Sequence, residues 1–163
     1  MLARLPQRLC GYRQWLPDTW RIVDVIDRDD DDCRDLKSRL EETAAGARLA
    51  TRTNPTGQAY SVVNRLAIEE LETWYFGGWE ALRTVYHRVS AHVPYKATYR
   101  DPDAIRGGTW EAFERILRRA GHFKGGLRKI EAARAIAPHM DPDRNTSHSF
   151  QVLRDALRQM LKK

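Results

Sequence analysis

The 163 residues include only two cysteines, Cys10 and Cys33. Their spacing matches no zinc pattern, which excludes a disulfide-stapled scaffold and a zinc finger. No apolar run approaches the roughly 18 to 20 residues of a membrane-spanning helix. The N-terminal Met1-Leu2-Ala3-Arg4-Leu5-Pro6 lacks the long apolar stretch of a secretory signal. The chain is therefore expected in the cytoplasm with both thiols reduced. It has no Gly-Lys-Ser/Thr phosphate loop, so it is not a nucleotide-hydrolysing motor of that class. His87, His92, His122, His139 and His148 show no ligand spacing, and no nucleophile motif surrounds Ser147 or Ser149. Repeats and low-complexity linkers are absent.

What remains is a charged, collapsible chain. With 42% apolar residues, 31% charged residues and a mean hydropathy of -0.65, one compact domain spanning 1–163 is expected. Residues 1–99 hold 14 Lys+Arg and 14 Asp+Glu, whereas residues 100–163 hold 14 against 8 and carry the whole net charge of +6. The expected division is an α/β core over 1–99 and a basic helical extension over 100–163. Such a balance suits a protein that meets polyphosphate and needs acids for chemistry, and equally an arginine-rich solvated surface.

Apolar spacing predicts a helix over Leu2–Leu16 and a buried strand over Trp20–Asp27. A helix follows with Cys33, Leu36, Leu40 and Ala44 on one face, stopped at Gly46. A short strand over Leu49–Thr53, a turn at Asn54-Pro55-Thr56-Gly57 and a second strong strand over Tyr60–Ile68 come next. Helices are expected over Glu69–Phe76 and Trp79–Val89, then from Thr109, from Leu127 to Ala137, and through Phe150, Leu153, Leu157 and Met160. The order of strands and helices is that of a doubly wound, mostly parallel sheet with a helical C-terminal part.

Three constellations could carry chemistry. The first is Asp27-Arg28-Asp29-Asp30-Asp31-Asp32, placed where a strand ends, as ligand sites are in open α/β sheets. Asp27 and Asp29 can converge on one ion, and hard oxygen donors select Mg²⁺ or Mn²⁺. Asp31 and Asp32 are expected to cap the following helix. The second is Glu69 and Glu72, three apart and so on one helical face, which serve either as further acidic groups of that site or as an ordinary helix start. The third comprises the cations Lys96, Arg100, Arg115, Arg118, Arg119, Lys124, Arg128 and Lys129, which either seat phosphates or are merely solvated. Asp24 stands apart, because a carboxylate in the middle of a covered strand is desolvated at a cost.

The runs Arg21–Cys33, Ile68–Trp74 and Lys129–Ala133, with Ser149-Phe150, together resemble domain-of-unknown-function family 4276. Its members are similar to the Toprim domains of overcoming-lysogenisation-defect nucleases, which bind Mg²⁺ through carboxylates and cut DNA or RNA, often in phage defence beside an ATPase partner. The resemblance implies a Toprim-like fold and metal ligation by Asp27 and Asp29. It further implies catalytic roles for Glu69, Glu72 and Lys129, with nucleic acid as the substrate. One departure stands out. Toprim domains open with a strand ending in glutamate, whereas here Met1 leads into a helix and no acid precedes Asp18. Two readings follow: a divalent-metal-dependent nuclease, or a non-catalytic binding or regulatory module of the same fold. A missing first strand also implies an exposed apolar sheet edge that recruits a second copy or a partner segment.

Overall fold

The computed structural model describes residues 2–57 and 59–161 of a mixed α/β chain. The chain divides into two compact units, Met1–Leu66 and Ala67–Lys163.

The first unit opens with a 3-10 turn over Leu2–Arg4 that runs into helix α1 (Leu5–Arg13). Strand β1 (Ile22–Asp27), helix α2 (Cys33–Gly46) and strand β2 (Val62–Ala67) follow, the last reaching the unit's end. The two strands form a parallel pair. The anticipated strand at Leu49–Thr53 shortens to a single parallel bridge, Thr51 to Val62. Leu5, Leu9, Ile26, Leu36, Leu40, Ala44 and Val62 are buried in one apolar cluster. Leu36, Leu40 and Ala44 recur four apart, so α2 offers one apolar stripe to α1 and the sheet. Gly46 does not make the left-handed turn after α2. Arg48 does, with φ 57°, while the Leu49 N–H donates to the Ala44 carbonyl at 3.0 Å. The helix thus stops through Leu49 entering the core rather than through glycine's freedom.

β1 is less covered than its composition suggests. Only Ile26 is buried, residues 22–25 are half-buried and Asp27 is exposed. Among the described residues β2 is its only strand neighbour. An apolar strand can remain half-covered when one of its edges lies open.

The second unit is helical: α3 (Thr73–Gly77), α4 (Trp79–Val85), α5 (Thr109–Arg119), α6 (Lys129–Ile136) and α7 (His148–Leu161), with 3-10 turns between them. Its core is aromatic-rich, joining Tyr75, Phe76, Trp79, Leu82, Phe113, Leu117 and Ile136. The Phe76 ring stacks on Trp79 at 5.4 Å and on Tyr99 at 5.3 Å. At the end of α3, glycine is compulsory. A Cβ on Gly77 would lie 2.1 Å from Asn145 Oδ1 and 2.7 Å from the Ser147 nitrogen. Asn145 uses that closeness to donate to the Trp74 carbonyl at 2.8 Å. The stripe expected on the last helix is only partly buried. Leu153 and Ala156 are covered, but Leu157 is 40% exposed. Among the described residues no helix is long and apolar enough to cross a membrane.

Candidate functional site

In the first unit the acidic loop begins where β1 ends. Asp27 is the last residue of the strand, and both Asp27 and Asp29 are exposed. Asp29 has φ 50°, a left-handed conformation that aspartate tolerates better than most residues because its short polar side chain can bond locally. The turn is fastened by the Asp31 N–H donating to the Arg28 carbonyl at 3.0 Å. Asp32 is the N-cap of α2, its Oδ1 accepting from the Arg34 and Asp35 amides at 2.8 and 3.1 Å. Asp31 does not cap the helix. Its carboxylate lies 3.8 Å from Arg39. The loop's five aspartates are exposed, which limits their mutual repulsion. Mg²⁺ keeps several of its waters and needs only one or two carboxylates, and Asp27 and Asp29 are exposed carboxylates at this end of β1. Among the described residues, no three His, Cys, Asp or Glu side chains are grouped to hold a metal.

In the second unit the anticipated pairing of Glu69 with Glu72 on a helix fails. Glu69 has φ 62°, which breaks a right-handed helix, and α3 starts only at Thr73, whose hydroxyl donates to the Ile68 carbonyl at 2.8 Å. The pair brought together is Glu70 and Glu72, joined by Lys129. The Lys129 Nζ lies 3.5 Å from Glu70 Oε1 and 3.4 Å from Glu72 Oε1. It also stands 4.9 Å from the centroid of the Trp110 ring, within cation–π range. Glu70 uses its other oxygen on α5, accepting from the Thr109 hydroxyl at 3.0 Å and the Trp110 amide at 2.8 Å. It thus supplies the cap that α5 lacks, since Gly108 at the N-cap has no side chain. Thr109 is the first helical residue of α5.

Glu72 is the most enclosed member, with its side chain 8% exposed. Burial pushes its carboxyl above the usual glutamate range, and neighbouring Glu70 adds to this, while Lys129 opposes both. A desolvated carboxyl keeps its proton to higher pH than an exposed one, and the ammonium group beside it works against that.

The predicted phosphate-seating residues Lys96, Arg100, Arg115, Arg118, Arg119, Lys124 and Arg128 are all exposed. Arg115, Arg118 and Arg119 line one shallow groove of α5 with Glu111 and Glu114. Arg128 is partly spent on Glu131, at 2.9 Å, and lies 5.7 Å over the Phe123 ring.

Two polar clusters went unforeseen. Asp103 accepts from the Ser147 and Ser149 hydroxyls, each at 2.9 Å, and from the Ser149 amide at 3.0 Å, tying the start of α7 to a distant turn. In the first unit, Lys37 pairs with Glu41 and donates to the Asn64 carbonyl at 3.0 Å. The Asn64 amide reaches Glu41 at 3.1 Å. Burial pushes the Glu41 carboxyl up, but bonds from Lys37, Thr51 and Asn64 outweigh it and hold the group below its usual range. A Ser-x-Ser before an apolar stripe signals a cap in sequence, but its partner 44 to 46 residues away does not.

The family model described as Domain of unknown function (DUF4276) matches residues 2–158. No curated protein and no solved structure matches the chain significantly.

Proposed function

The chain belongs to the DUF4276 family, and from that premise we propose that it cleaves nucleic-acid phosphodiesters in a divalent-metal-dependent, Toprim-like manner. The observation that carries this reading is the end of β1, where a parallel strand delivers exposed Asp27 and a left-handed turn delivers exposed Asp29. Asp27 and Asp29 would hold Mg²⁺ or Mn²⁺. Bound there, the ion supplies an activated water and stabilisation of the leaving oxygen. Exposed Lys96, Arg100, Lys124, Arg128 and the α5 arginines would meet phosphates in a salt-sensitive, sequence-indifferent way. An ATPase partner and a role in phage defence belong to the same proposal and rest on the family resemblance alone.

A second reading is favoured by the Glu70–Lys129–Glu72 cluster. Lys129 neutralises carboxylates that a metal would otherwise use, and Glu70 is committed to α5. That arrangement suits a non-catalytic module that binds nucleic acid or a partner. Both readings meet one experiment, using the chain and its Asp27→Asn/Asp29→Asn variant in plasmid and RNA cleavage assays with millimolar Mn²⁺. Thermal melts with and without the ion accompany the assays. Mn²⁺ should raise the Tm of the chain alone by mass action, and cleavage should track that difference. A metal shift without cleavage selects the binding module, and equal shifts in both proteins remove the metal site.

A further inference from the structure

Away from the acidic groups, a groove of about 470 Å³ runs along β1. Its floor is the strand itself, Ile22 to Ile26, and its wall is built from α1 and the turn after it, including Leu9, Tyr12, Trp15 and Trp20. Trp15 and Trp20 are each 57% exposed, and Tyr12 is 37% exposed. The three rings meet edge to face, at 5.4 Å for Tyr12–Trp15 and 6.3 Å for Trp15–Trp20. They form a continuous aromatic rim rather than scattered surface residues, and such patches on soluble proteins mark interaction sites. In the groove lies Asp24, whose Oδ2 is buried without a hydrogen-bond partner among the described residues. A buried carboxylate oxygen left unsatisfied is costly and calls for a donor.

We propose that this groove takes an extended, β-branched segment of a partner protein, which adds a strand to the open edge of β1 and sets a lysine or arginine against Asp24. Each part has its reason. The open edge offers backbone donors and acceptors that only another strand satisfies in series. Ile22, Asp24 and Ile26 alternate onto one face, where Ile26 is already packed in the unit's core, so an edge-paired strand sets a cation beside Asp24 with β-branched residues two on either side of it. Single-stranded nucleic acid would stack on the rings, but its phosphates would meet the Asp24 carboxylate at the groove's floor. A second copy of the chain, paired antiparallel about the strand's centre, would set Asp24 against its own equivalent, and like charges directly opposite repel. Arg8 is exposed at the rim. Arg21 is already turned to the Asp18 and Trp20 carbonyls and the Tyr60 ring, so neither satisfies Asp24.

The test uses the full chain and labelled, end-blocked peptides of about eight residues that alternate threonine with isoleucine. One peptide carries a lysine at the centre of its apolar face, a second carries glutamate there, and a third has prolines that remove its outward N–H donors. Fluorescence anisotropy should show saturable binding of the lysine peptide, about tenfold weaker binding of the glutamate peptide, and none of the proline peptide. Asp24→Asn, near-isosteric and without the buried charge, should keep the binding but shrink the lysine preference to within about twofold. Equal binding of the lysine and glutamate peptides, equal binding of the proline peptide, or no saturation at millimolar peptide each overturns the proposal. A concentration-dependent dimer that the lysine peptide dissociates would assign the groove to a second copy instead. Oligothymidylate binding that is lost in Trp15→Ala/Trp20→Ala would assign it to nucleic acid. None of these readouts depends on cleavage, so their failure and that of the nuclease reading are separable.

Discussion

The two units hold carboxylates of the same kind in opposite settings. In the first, Asp27 and Asp29 stand in water at the end of a strand. In the second, Glu72 is buried, and Glu70 is bonded to two donors on α5 and shares Lys129 with it. Exposure leaves the first pair hydrated and spares it the cost of desolvation. Burial makes the second pair depend on a single ammonium group, since an uncompensated charge there is penalised strongly. A motif of acids in sequence therefore does not fix its chemistry. The strand that ends in water and the turn that docks on a helix do so.

The largest effect should come from removing the shared cation. Lys129→Met keeps the stem's packing near Trp110 but leaves two carboxylates facing each other. Because Lys129 is half exposed, the cost should fall below that of a fully buried pair, at about 2 kcal/mol of unfolding free energy. Adding Glu72→Gln should return about half of it, as expected for coupled neighbours. Urea melts of the two single variants and the double variant measure the cycle, and strict additivity would show that Lys129 and Glu72 act independently. Asp27→Asn, by contrast, should stay within about 0.5 kcal/mol in metal-free buffer.

A smaller effect concerns pH. The folded-state carboxyl of Glu72 lies above its ordinary range, chiefly because it is buried. Its protonated form is therefore the one the fold favours. The stability it contributes is fully present below the unfolded-state glutamate pKa and is lost as pH rises through the raised folded value. Glu72→Gln should flatten that fall, and Lys129→Met should extend it to higher pH by removing the opposing charge. An unchanged slope of stability against pH in Glu72→Gln would place the titration elsewhere.

Sequence patterning reached the elements whose cause is local. Leu36, Leu40 and Ala44 mark α2, and the β-branched runs mark β1 and β2 close to their observed bounds. It failed where a distant partner decides. Nothing near Glu70 announces that it caps α5, whose own N-cap is a glycine. Helical spacing chose Glu69 with Glu72, but one left-handed residue undid the face they would have shared. The composition of β1 does not reveal its half-covered state, because an apolar strand looks the same in sequence whether its edge is paired or open; an open edge is expected from the Toprim resemblance alone.

The smallest effect separates backbone from carboxylate at Asp29, which the two regions invite because Glu69 shares its left-handed φ. If Asp29 is chosen for its carboxylate, any substitution should weaken Mn²⁺ binding alike. If it is chosen for the turn, only residues that resist positive φ should cost stability. Alanine resists it and glycine does not. Asp29→Ala should therefore lose about 1 kcal/mol, whereas Asp29→Gly should stay within about 0.5 kcal/mol of the parent. Both should lose the Mn²⁺-dependent rise in Tm, since neither keeps the oxygen donors. If Asp29→Gly retained that rise, the ligand role would pass to Asp27 and its other neighbours. If Asp29→Ala proved as stable as Asp29→Gly, the left-handed turn would not be what selects aspartate at this position. The carboxylate alone would then explain its presence where β1 ends.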